Sequence, residues 1–152
     1  MNYSIIQKSQ LEGTLRIDAE HYQPVYLEIK EIMTQAAAKP LKELLARQVV
    51  TGKTPKQRDC LEDDTDIKFI KTDTVRQGEI IFDLADCLPV KQSSKHSEPH
   101  AGDILVTIIG ADYEIVGRSA MVFAGDPKMN INQNIALIRP DKNLISPAIS
   151  HE

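Results

Sequence analysis

Cysteine is scarce: Cys60 and Cys87 are the two in 152 residues. Two are too few to staple a small secreted domain, and they fit a reducing compartment, with a single bridge left open. No Cys-x-x-Cys occurs, so ligands at a recognisable zinc spacing are not visible. His96 and His100 have the i, i+4 spacing of a helical pair, but Pro99 lies between them and the segment has no helical period. Long apolar runs are missing too. Ile104 to Ala111 is the longest, broken by Thr107, and falls far short of the ~20 residues of a membrane span. The first residues show no basic region followed by an apolar stretch, so no signal peptide is read. The expectation is a soluble, cytoplasmic protein that does not engage a membrane.

Catalytic signatures are lacking as well. Gly52-Lys53-Thr54 resembles the end of a phosphate-binding loop, but position 47 is arginine where that motif needs glycine, and Pro55 interrupts the helix that should follow. No Gly-x-Ser-x-Gly occurs. Glu28-Ile29-Lys30 has a nuclease-like spacing but lies in a helical pattern rather than a strand. Asp73, Asp83, Asp86 and Asp103 read most simply as turn residues at strand ends. The chain is therefore expected to be non-catalytic, with no cofactor and no metal.

What is present is an ordinary globular composition: 41% hydrophobic and 26% charged residues. At this length a single domain buries roughly 70% of its unfolded surface and can hold its own core. The net charge of −4 excludes a polycation that coats nucleic acid by charge alone. The mean conceals a pattern. Residues 39–58 carry Lys39, Lys42, Arg47, Lys53, Lys56 and Arg58 against Glu43 alone, and residues 59–66 carry five acidic side chains. The plain reading is two solvated loops; the sharper one is a basic anion-binding strip followed by an acidic loop.

Helical periodicity is clearest over 18–37. Asp18 is a candidate cap, Pro24 suits the first turn, and Val25, Ile29, Ile32, Met33 and Ala36 recur on one face. Lys39-Pro40 should end the helix. Leu41 to Ala46 suggests a short helical turn, and Val49-Val50 begins a strand. Further strand candidates are 67–71, 79–82, 104–109, 119–124 and 135–139. The polar stretch 92–100 should be exposed. Helix first and strands after predict an α+β domain, an amphipathic N-terminal helix packed on a strongly bent, mostly β body.

Polar residues cluster on the loops between these strands. Lys53, Thr54 and Lys56 form one group, Lys71, Thr72 and Asp73 a second, Lys91 to Lys95 a third, and Asn130, Asn132, Gln133 and Asn134 a fourth. Lysine suits phosphate contacts, and Asn, Gln, Lys and Arg suit base edges. Singly, each reads as a plain loop residue; together they argue for a binding surface.

The order of the blocks carries a resemblance. Arg16-Ile17-Asp18-Ala19-Glu20-His21-Tyr22-Gln23-Pro24-Val25-Tyr26 is similar to the opening "R-x-D-x-E-Y-Y-x-P-x-Y" of type I restriction–modification specificity subunits. Leu41 to Leu45 followed by Gly52-Lys53-Thr54-Pro55 resembles their Leu-rich turn and "G-x-T-P". Ile67 to Val75 with Gly78-Glu79-Ile80 resembles "I-P-F-I-x-x-x-D-V-x-x-G-x-I", with Lys68 in place of the proline. Gly102-Asp103-Ile104-Leu105 through Gly110 and Gly117, and Asn132-Gln133 through Arg139-Pro140, resemble the last two blocks. The match runs from about residue 11 to residue 147.

The resemblance implies one target-recognition domain that reads a short half-site in double-stranded DNA. Such domains direct a partner methyltransferase (modification) subunit and a translocase–restriction subunit, which carry the catalysis. The family's second domain and spacer helices are not seen in this sequence, so it reads as an excised domain, a truncated gene or a half-subunit, and a homodimer stays open. The residue roles that follow are Gly52 for close backbone approach, Lys53, Thr54 and Lys56 on phosphates, and Lys71 and Thr72 on backbone or base. Lys91 and Lys95 would enter a groove, and Arg118 and Gln133 would read bases or fix loops. Asn132 and Asn134 fit a DNA contact and backbone satisfaction equally. The competing expectation is a protein-interaction or decoy domain of the same fold that binds no DNA.

Overall fold

The computed structural model describes residues 4–11, 21–55 and 67–145. Asp18, Lys56, Cys60 and the acidic segment 59–66 lie outside the described residues. Two compact units divide the chain, one up to Pro40 and one from Leu41.

In the first unit, α1 spans Pro24–Gln35. Proline takes the first helical position, where its missing N–H costs nothing. Gln23 is extended and makes no side-chain cap, so the helix begins later than residue 18. It also ends before Lys39-Pro40. The N–H of Ala38 donates to Met33 O at 2.9 Å and that of Ala37 to Thr34 O at 3.0 Å, while Ala37 turns to φ 52°. This is a Schellman closure with alanine where glycine is usual. Ahead of the helix, Ser4 Oγ donates to the carbonyl of the buried Tyr22.

The second unit is built from β1 (Val50–Thr51), β2 (Ile67–Ile70), β3 (Asp86–Leu88), β4 (Ile104–Thr107), β5 (Ser119–Met121), β6 (Met129–Ile131) and β7 (Ile135–Ile138). One sheet is antiparallel, in the order β1-β7-β4-β5; the other has the order β3-β2-β6, with β2 and β6 parallel. With the helix, this gives an α+β chain. Ile70, Val75, Leu105, Ala120, Met129, Ile131, Ile135 and Leu137 join the two sheets in one buried cluster, with Val50, Ile80 and Phe82 against it. Ile67, Phe69 and Leu88 form a smaller one on the opposite face of β2.

Several expectations shift in detail. Residues 79–82 do not make a strand. Ile80 forms a lone bridge to Val75, and Phe82–Leu84 is a 3-10 turn. β3 and β6 are strands where none was expected. β6 is short and buried throughout, with Asn130 in its middle, so it shows no alternation. The stretch 92–100 is not uniformly exposed, because Ser97 is buried in the 3-10 turn Lys95–Ser97. The Ser94 N–H donates to the buried Asn130 Oδ1 at 2.6 Å, which draws this polar segment onto β6. Among the described residues no helix is long and apolar enough to cross a membrane.

Candidate nucleic-acid interface

The strand registers bring several loops to one end of the four-stranded sheet. Thr51 lies opposite Ala136 and Thr107 opposite Ile135. The end of β1, the start of β7, the end of β4 and the start of β5 therefore share a pole. Gly52, Lys53 and Thr54 leave β1 there. Gln133 and Asn134 lead into β7, and Arg118 leads into β5.

Gly52 is the hinge of this arrangement. Its N–H donates to Asn132 O at 3.1 Å. A Cβ at this position would stand 1.6 Å from Ile131 O, so no other residue fits without moving backbone. This close approach delivers Thr54 to Gln133, whose Oε1 accepts from the Thr54 hydroxyl across 79 positions of sequence. Both side chains are exposed, as is Lys53. Two blocks read separately in the sequence thus form one polar cluster.

The β2 end joins the same region. The Asn132 N–H donates to Ile70 O at 3.0 Å, so Lys71 and Thr72 emerge beside the Asn132 turn. Thr74 Oγ1 donates to Lys71 O at 2.7 Å and accepts from Lys71 N at 3.1 Å, which closes that turn. Lys71 is not a free cation. Its Nζ is 3.2 Å from Asp86 Oδ2 and 3.7 Å from Asp73 Oδ2. Thr72 is half-buried.

Arg118 is half-buried, and its Nε donates to Glu114 O at 2.9 Å, so it fixes its own loop. The asparagines serve the backbone: Asn132 Oδ1 accepts from Asn134 N at 3.0 Å, and Asn130 Nδ2 donates to Met129 O at 2.8 Å. Lys91 and Lys95 are exposed, but no hydrogen bond or ion pair links them to the Thr54–Gln133 cluster. Their segment is tied to β6 at Asn130, and the turn Lys95–Ser97 lies against β1. Lys56 lies outside the described residues.

The opposite pole carries a charge cluster that sequence reading missed. Asp103, read as a turn residue, is 2% exposed. It accepts two hydrogen bonds from Arg139, Nε to Oδ1 at 2.7 Å and Nη2 to Oδ2 at 2.6 Å, and a third from His100 N at 2.7 Å. The bond to Asp103 holds the Arg139 guanidinium above its ordinary pKa. Arg47, counted in the basic strip, turns inward. Its Nη2 donates to His96 O at 3.3 Å and its Nε is buried without a partner. Desolvation, and then repulsion from Arg139, lower its pKa. Nothing in the local sequence marks the Asp103–Arg139 pair, because one partner directly precedes β4 and the other directly follows β7.

Among the described residues no group of three or more His, Cys, Asp or Glu could hold a metal ion. Cys87 is buried, with Lys68 Nζ 3.8 Å from its sulfur. No protein-family model matches the chain, and no curated protein matches it.

Proposed function

We propose that the chain is a target-recognition domain that reads a short sequence in double-stranded DNA, of the kind found in type I specificity subunits. It carries no catalysis in this reading. It directs a methyltransferase subunit and, in a full assembly, a translocase–restriction subunit, in the cytoplasm. The observation that carries the reading is the meeting of Gly52-Lys53-Thr54 with Asn132-Gln133 at one pole of the sheet. These two blocks belong to the family resemblance, and a donor- and acceptor-rich exposed cluster beside a lysine suits phosphate positioning and base contact together.

The test is binding of the purified chain to a randomised duplex pool, followed by anisotropy at several salt concentrations. Recovery of a defined sequence, with affinity falling over a log–log salt slope of a few units, is the expected result. A folded protein that binds no duplex instead supports an interaction domain of the same fold.

A further inference from the structure

The loop between β4 and β5, residues 108–118, stands at the same pole. Ile108 N donates to Asn134 O at 2.9 Å, one residue from Gln133. The loop is braced along its length. The buried Thr107 hydroxyl reaches Ile115 O at 2.5 Å and Arg118 O at 3.0 Å. Gly117 N donates to Thr107 O at 2.8 Å, and Glu114 N to Asp112 Oδ1 at 3.0 Å. Gly110 is pressed so closely on Ile115 that a Cβ would come within 2.8 Å.

On this rigid frame large apolar side chains face solvent: Ile109 is 55% exposed, Val116 48% and Tyr113 87%. Exposed apolar groups on a pre-ordered loop lose little entropy on binding. The charge is unusual for a DNA-facing element. Asp112 and Glu114 flank Tyr113, and Arg118, the loop's one basic residue, is folded back on Glu114 O. Such a tip does not suit phosphates. Base edges in the major groove are a different matter: thymine offers a methyl group, cytosine an amino donor, and guanine only acceptors that repel a carboxylate.

We propose that the 108–118 loop is a base reader of the major groove, in which Glu114 accepts from cytosine N4 while Tyr113 packs against a neighbouring pyrimidine. Asp112 already spends an oxygen on Glu114 N, which leaves Glu114 as the reader. Phosphate contact falls to Lys53, and sequence discrimination to this loop. The inference rests on the DNA reading above.

The experiment uses the full chain and the duplex it selects from a random pool, together with every single-pair variant of that duplex. Anisotropy is measured for wild type, Glu114→Ala, Tyr113→Ala and Lys53→Ala. Only the backbone atoms of Glu114 enter the bracing bonds, and Tyr113 is exposed, so both loop variants should fold, as circular dichroism will verify. Wild type should prefer a C·G pair at one position by roughly tenfold or more. Glu114→Ala should erase that preference with the salt slope unchanged. Tyr113→Ala should weaken the selected duplex and leave unrelated duplexes unaffected. Lys53→Ala should weaken all duplexes alike. Wild-type discrimination kept in both loop variants, while Lys53→Ala weakens every duplex, overturns the loop assignment and leaves the DNA reading standing. No binding by wild type to any duplex overturns both.

Discussion

Asp103 and Arg47 are neighbours of one arginine, and their positions have opposite energetic consequences. Asp103 is buried and accepts both Arg139 nitrogens and a backbone N–H. Removing it leaves a partly buried guanidinium and an amide unmatched. Asp103→Ala should lower stability by about 3–5 kcal/mol in urea denaturation. Arg47 carries a buried Nε without a partner and faces the repulsion of Arg139. Arg47→Met keeps the stem and removes that desolvated group. It should leave the midpoint unchanged or raise stability by up to about 1 kcal/mol. Gly52 sets a third limit, because its missing Cβ is what admits Ile131 O. Gly52→Ala should cost about 3 kcal/mol or more, since backbone rather than a flexible side chain must yield. In ¹⁵N spectra the largest shifts should centre on Gln133 and Asn134, where the Thr54 contact is lost.

The elements show the same contrast between order supplied locally and order imposed from outside. The end of α1 is local. Ala37 holds φ 52° to complete the Schellman turn, a conformation that costs an L-residue roughly 1 kcal/mol. Ala37→Gly should relieve it, and amide exchange at Ala36–Ala38 should slow by about threefold to tenfold. The loop after β4 is imposed: it depends on Thr107, which shares one hydroxyl proton between two carbonyls. Thr107→Val should cost about 1–3 kcal/mol and speed exchange over 108–118 more than elsewhere. The same division explains what the sequence made legible. β4 shows a period because alternate residues are buried, and α1 carries one in its sequence although none of its described residues is buried. β6 has all three residues buried and an asparagine in the middle, so no period exists to be read. The blocks of the candidate site were legible in their order. That Thr54 meets Gln133, that Asn130 holds Ser94, and that Asp103 holds Arg139 follow from strand registers, which no single segment encodes.

At the scale of the whole molecule, the question is how a chain of net charge −4 would hold a polyanion. Counting lysines along the sequence overstates the positive surface. Lys71 is balanced by Asp86 and Asp73, and Arg47 turns inward to His96 O. Lys53 remains exposed at the pole where the loops converge. A solvent-exposed ammonium releases condensed counterions from each phosphate it neutralises, whereas one already paired with carboxylates releases few. The two lysines should therefore separate in a salt titration of DNA binding. Lys53→Ala should reduce the log–log slope by about one unit and weaken binding to all sequences similarly. Lys71→Ala should leave the slope within about 0.3 units, because removing it also uncovers two carboxylates that were never facing phosphate through a free cation. Affinity could then fall through repulsion at every salt concentration, a uniform offset rather than a change of slope. Equal slope changes for the two variants would show that DNA opens the Lys71–Asp86 pair, and the pole would then carry two working cations.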